Sequence, residues 1–152
     1  MTSSPAPEHL SPSSCWEYLR SSDLGRLAVV VAGRPDIFPI NYAVDHGCVL
    51  VRTADGTKLS AALGGDVAFE ADGFAPGTGQ AWSVVLRGRA EELVHLDELL
   101  AVDDLPLNPL HGAPKNRFLR IVPDEISGRR FVTIGSDIWK GPLTGSRRVP
   151  RE

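Results

Sequence analysis

The chain has 152 residues, 42% of them hydrophobic, and a formal net charge of −3 with acids and bases mixed along its length. That size suits one domain with a real core, and the composition is globular rather than disordered or membrane-embedded. The charge balance argues against a broad nucleic-acid face, because the basic pairs Arg129-Arg130 and Arg147-Arg148 are short and far apart. No stretch approaches the roughly 18 apolar residues of a membrane span. The amino terminus lacks a basic cluster followed by an apolar segment, so a cytoplasmic address is the default expectation. Cys15 and Cys48 show no CxxC pattern and the histidines are scattered. They read as two buried or half-buried thiols and no metal centre.

In chain order, residues 1–12 are rich in Ser and Pro and read as a disordered, mobile segment. Ser14 to Glu17 has the S-x-x-E form of a capping box and opens a helix over about 13–22 that stops before Gly25, with Trp16 as a core anchor. Residues 26–32 (RLAVVVA) form a strand, and Gly33 to Asp36 a hairpin turn. The strand at 37–44 (IFPINYAV) carries Pro39, which argues for an edge or a bulge. Asp45-His46-Gly47 turns the chain into a short strand at 49–51.

A helix over 57–63 follows, with Leu59 and Leu63 toward the core, and Gly64-Gly65 ends it. Residues 66–71 (DVAFEA) alternate as a strand, 72–79 form a loop, and 80–93 form a long strand with a bend or bulge at Gly88. A short helix at 95–101 and a Pro-rich connection at 105–114 lead to a strand at 116–122, a turn at 123–127 and a last strand at 128–134. Residues 140–152 read as a flexible tail, which leaves a folded domain over 13–139. About six short strands with regular turn signals and three small helices predict a closed antiparallel barrel, with a β-sandwich as the alternative.

The chemistry concentrates at 49–63 (VLVRTADGTKLSAAL), where a strand turns at Asp55-Gly56 into the short helix. Arg52 offers a planar fork of donors, Lys58 a mobile ammonium, and Thr53 and Thr57 two hydroxyls. The first helical N–H groups add unpaired donors. Such a corner suits the phosphate of a nucleotide-like cofactor; it equally suits a plain turn with a solvated basic helix start.

Four segments in this order, IFPINY (37–42), VLVRTADGTKL (49–59), VAFEAD (67–72) and WSVVLRGRA (82–90), together with IVPDEISGRRF (121–131), resemble the FMN-binding split-barrel superfamily. The likeness is to the small pyridoxamine 5′-phosphate oxidase-like proteins, a group that also holds the nitroimidazole-resistance proteins. It implies a mainly β fold, a six-stranded antiparallel split β-barrel of Greek-key type that dimerises with FMN at the subunit interface. Under that resemblance Arg52, Thr53, Thr57 and Lys58 hold the flavin phosphate. The backbone around Pro39, Ile40 and Asn41 lines the ring edge, and Trp82 and Ser83 reach the cofactor, from the neighbouring subunit or their own.

Other roles stay open at several of these positions. Asn41 suits a bend, Trp82 suits interface packing, Glu70 suits a structural role over that of a general base, and Arg87, Arg89, Arg129 and Arg130 suit the surface. The resemblance implies a flavin-dependent oxidoreductase acting on an unidentified small molecule, with no catalytic side chain required because the flavin supplies the redox step. The alternatives are a reductase using the deazaflavin F420, which would want more Lys and Arg along its groove, and a non-catalytic flavin- or haem-binding protein. Two departures stand out. The R-L-x-P ending of the pyridoxamine phosphate oxidases has no counterpart here, and Arg52 occupies a position where nitroimidazole-resistance proteins often carry His.

Overall fold

The computed structural model describes residues 6–75, 77–102, 105, 107 and 117–132. Seven strands form one antiparallel sheet: β1 (Glu8–His9), β2 (Leu24–Val31), β3 (Arg34–Asp45), β4 (Cys48–Thr53), β5 (Asp66–Ala75), β6 (Gln80–Glu92) and β7 (Arg117–Val132). Their spatial order is β1-β7-β4-β3-β2-β5-β6, and β6 pairs with β7 as well. That last pairing closes the other six strands into a barrel and leaves β1 as a short flap on β7. The expected six-stranded barrel is thus present. The β-sandwich alternative is not, since a ring of pairings has no second sheet to pack against.

Alternation explains the interior. Leu27 and Val29 on β2, Ile40 and Tyr42 on β3, Val49 and Val51 on β4, and Val67, Phe69 and Ala71 on β5 all point inward and are buried. Two helices plug this interior. From α1 (Pro12–Arg20) come Cys15 and Leu19, and from α2 (Thr57–Leu63) come Leu59 and Ala62. The third helix, α3 (Leu96–Val102), instead covers the outer face of β4, where Leu50, Leu93 and Val102 make a second, smaller core.

Several expectations change. Helix α1 is capped by Ser11, whose hydroxyl accepts from the Ser14 amide at 3.2 Å, with Pro12 in its first turn. The cap is therefore S-P-S-S rather than the S-x-x-E box at Ser14; a serine followed directly by proline is already a complete helix start. Glu8 and His9, within the segment expected to be mobile, pair with Arg130 and Arg129. In α2 it is Ala62, three residues after Leu59, that shares the buried face, while Leu63 stays 39% exposed. The first half of the expected loop at 72–79 is strand, because β5 runs on to Ala75 before a tight turn.

The largest change lies near the end. The expected turn at 123–127 does not exist, and β7 runs unbroken through Pro123. Gly88 pairs with Pro123 and Arg87 with Glu125, so Asp124 is an extra residue in β7. This bulge is where a strand tolerates proline. Gly88, expected to mark a bend or bulge, does so as its counterpart: an added Cβ would lie 2.0 Å from the Val122 carbonyl oxygen. The two backbones approach too closely for any side chain. Most of the Pro-rich connection at 105–114 and the whole tail at 140–152 lie outside the described residues.

Candidate functional site

Strand β3 is paired with β2 from Arg34 to Asn41, whereas β4 pairs with it only from Tyr42 to Asp45. The barrel therefore splits where β4 ends at Thr53 and the chain swings through Ala54, Asp55 and Gly56 into α2. Pro39 lies on the singly paired part of β3, where a missing N–H does little harm. The split opens a cavity of about 430 Å³ lined by Phe38, Pro39, Thr53, Asp55, Gly56, Thr57 and Lys58, among others. That is within the range of small-molecule pockets.

The Lys58 ammonium lies 4.3 Å from the Phe38 ring centroid, a cation–π contact that parks it at the cavity without consuming its hydrogen-bond donors. Gly56 precedes the helix with φ of 155° and no side-chain cap, so the entry to α2 keeps its amide groups clear of a competing hydroxyl. Among the described residues the Thr53 hydroxyl donates to the Ala54 carbonyl at a long 3.4 Å. Lysine, two threonine hydroxyls and a bare turn make a donor set suited to an anion.

Of the nine residues singled out in the sequence, Pro39, Thr53, Thr57 and Lys58 meet at this cavity. Ile40 is buried among the barrel core, so only its backbone can face the split. Asn41 stands on the outward side of β3, half-buried, opposite Leu24. The Arg52 guanidinium leans on Phe118, 5.4 Å from the ring centroid, on the face that α3 covers. Trp82 lines a separate cavity of about 300 Å³ with Tyr18, to which its ring is tilted at 5.1 Å, and Arg130. Ser83 faces outward near Arg129 and His9. A single chain thus assembles four of the nine, and the aromatic and serine positions of β6 lie elsewhere on it.

Of the other candidates, Glu70, Arg87, Arg89 and Arg130 have structural partners. Arg26 Nε donates to Glu70 at 2.6 Å and its Nη2 lies 2.9 Å from Asp72. Burial pushes the Glu70 carboxyl up, with Arg26 pulling the other way. Arg87 faces Glu125 at 3.6 Å and Arg89 faces Asp66 at 3.8 Å, both exposed. Arg130 pairs with Glu8.

One group had no sequence signal. Arg117, at the start of β7, donates to Asp55 on the cavity wall and to Glu92 at the end of β6. Asp55 and Arg117 are 62 residues apart, and no local pattern links them.

Comparison with known proteins agrees with this architecture. A family profile described as pyridoxamine 5′-phosphate oxidase matches residues 11–130. An uncharacterized Mycobacterium tuberculosis protein, Rv0080, is 32% identical over 146 residues, covering 85% of this chain and 95% of its own. Among solved structures, a Corynebacterium glutamicum protein named as a candidate pyridoxamine 5′-phosphate oxidase is 43% identical, with a TM-score of 0.75, covering 87% of this chain and 96% of that one. A Mycobacterium smegmatis protein named for FAD binding is 40% identical, with a TM-score of 0.70, covering 81% of this chain and 97% of that one.

Proposed function

This chain belongs to the pyridoxamine 5′-phosphate oxidase family, and on that premise we propose that it binds a flavin nucleotide and performs oxidoreductase chemistry on a small molecule. The observation that carries the reading is the meeting of Thr53, Thr57 and Lys58 with Pro39 around one cavity at the split of the barrel. Those residues fit the group. The Lys58 ammonium and the two hydroxyls suit a phosphoryl dianion, since charge-assisted hydrogen bonds are roughly twice as strong as neutral ones. A bound flavin supplies the hydride or electron transfer itself. The chain's own part is to hold the phosphate, to orient the ring along the open side of β3, and to exclude water.

FMN, with its single phosphate, is the nucleotide that suits a corner with one ammonium. FAD is favoured by the 40% identical relative that is named for it. F420, with its long acidic tail, is less well served, because among the described residues Lys58 is the single basic one on the cavity wall and Asp55 opposes it there. In the homodimer that belongs to this reading, Trp82 and Ser83 approach the flavin from the second chain, which accounts for their distance from the cavity in their own.

The test starts from colour. The purified protein is expected to show flavin absorbance, and mass measurement of the heat-released ligand distinguishes FMN from FAD. Lys58→Ala is expected to weaken nucleotide binding by roughly tenfold or more, the worth of one hydrogen bond to a charged group. Adding Arg52→Ala tests whether that side chain leaves Phe118 to assist. A colourless protein that takes up no flavin in titration sinks the proposal.

A further inference from the structure

Asp55 stands on the wall of a cavity read as an anion site, and its charge has the wrong sign for that task. The fold answers it from outside the cavity. Arg117 lies directly across from Thr53 in the β4–β7 pairing and spreads its guanidinium between two carboxylates. Nε and Nη2 donate to the two oxygens of Glu92, the second at 2.8 Å, and Nη1 donates to Asp55. Glu92 is the sheltered partner, its side chain 18% exposed against 78% for Asp55. The two-pronged grip of Glu92 fixes the guanidinium plane and leaves Nη1 aimed at the loop. That grip also holds the Glu92 carboxyl below its ordinary range and raises the Arg117 guanidinium, favouring the charged form of both.

We propose that Arg117 is a positioning residue for anion binding, cancelling the Asp55 carboxylate from outside the cavity so that the site prefers a phosphorylated flavin to an unphosphorylated one. The inference rests on the flavin reading of the same cavity. Glu92 serves it indirectly, as the anchor that keeps Arg117 from relaxing into solvent. An unopposed carboxylate on the wall would repel a phosphate dianion over a few ångströms, a distance that salt screens only partly.

The test titrates riboflavin 5′-phosphate and riboflavin into the wild-type chain, Arg117→Gln, Asp55→Asn and the double variant at low ionic strength. Arg117→Gln is expected to lose roughly tenfold in nucleotide affinity with riboflavin affinity little changed, the size of one uncovered charge near a dianion. The double variant is expected to regain most of that loss, because a neutral amide in place of the carboxylate no longer repels. Asp55→Asn alone is expected to raise nucleotide affinity, and it decides the matter if Arg117→Gln does not fold.

An unchanged preference for nucleotide in Arg117→Gln overturns the inference while the flavin reading stands. A double variant no better than Arg117→Gln does the same, because removing a charge does not repair a purely structural loss. A fall in nucleotide affinity on Asp55→Asn overturns it too. Failure of the wild-type chain to bind either flavin overturns both the inference and the reading beneath it.

Discussion

Tyr42 ties the barrel to its helical plug through one hydroxyl. It is 2% exposed, its ring meets Phe69 edge-on at 4.9 Å, and its hydroxyl donates to the Leu19 carbonyl at 2.6 Å, at the end of α1. Burial pushes its pKa up to about 12 from the usual 10. The folded state therefore keeps the proton between those two values while the unfolded chain loses it. Stability is fully present below about pH 10 and falls as pH rises, by up to about 1.4 kcal/mol per pH unit and roughly 2–3 kcal/mol by pH 12. Tyr42→Phe is expected to lose about 1–2 kcal/mol near neutrality, because the Leu19 carbonyl keeps only the longer bond from the Ser22 amide at 3.4 Å. It should also flatten that alkaline limb. Denaturant melts of both proteins from pH 8 to 12 measure it, and parallel curves would show that the tyrosine does not titrate in the fold's favour.

Among the strands, β6 and β7 carry the longest pairing, and its irregularity is built in. Asp124 is looped out beside Pro123, and Gly88 faces the Val122 carbonyl at a distance no Cβ can occupy. The bulge bends β7 so that one strand reaches β4 at its Arg117 end and β1 near Arg130. Gly88→Ala must push the two backbones apart, and it is expected to cost at least about 2–3 kcal/mol, the upper range for forced overpacking. Since the same strand delivers Arg117 to the cavity loop, the variant should also weaken flavin binding. A melting temperature within a degree or two of wild type would mean that the pairing gives way cheaply.

At the level of the whole barrel, the outer face of β2 and β3 exposes Val30 at 56% and Ile37 at 63%, and Leu24 at the far end of β2 at 41%. The proposed homodimer would cover such a surface with a second copy. Light scattering is expected to give a mass twice 16.4 kDa, and a single-chain mass at micromolar concentration would count against the dimer. None of the described helices is long and apolar enough to cross a membrane.

What the amino-acid sequence determined by itself is whatever repeats locally. Alternating runs such as DVAFEA, the β-branched RLAVVVA, the Asp55-Gly56 turn and the apolar spacing of α2 each mark their element, because strand and helix periods act over neighbours only. The family likeness follows from those pieces standing in order, and four of the nine candidate positions gather at one cavity. Tertiary structure alone decided the rest. Pro123 reads as a turn along the chain, but a bulge opposite Gly88 absorbs it. Arg52 reads as a phosphate ligand along the chain, and only the fold brings its guanidinium to within 5.4 Å of the Phe118 ring centroid. Arg117 meets Asp55 only because β7 closes the ring against β4. Such meetings depend on which strands pair across the barrel, and no period along the chain encodes that choice.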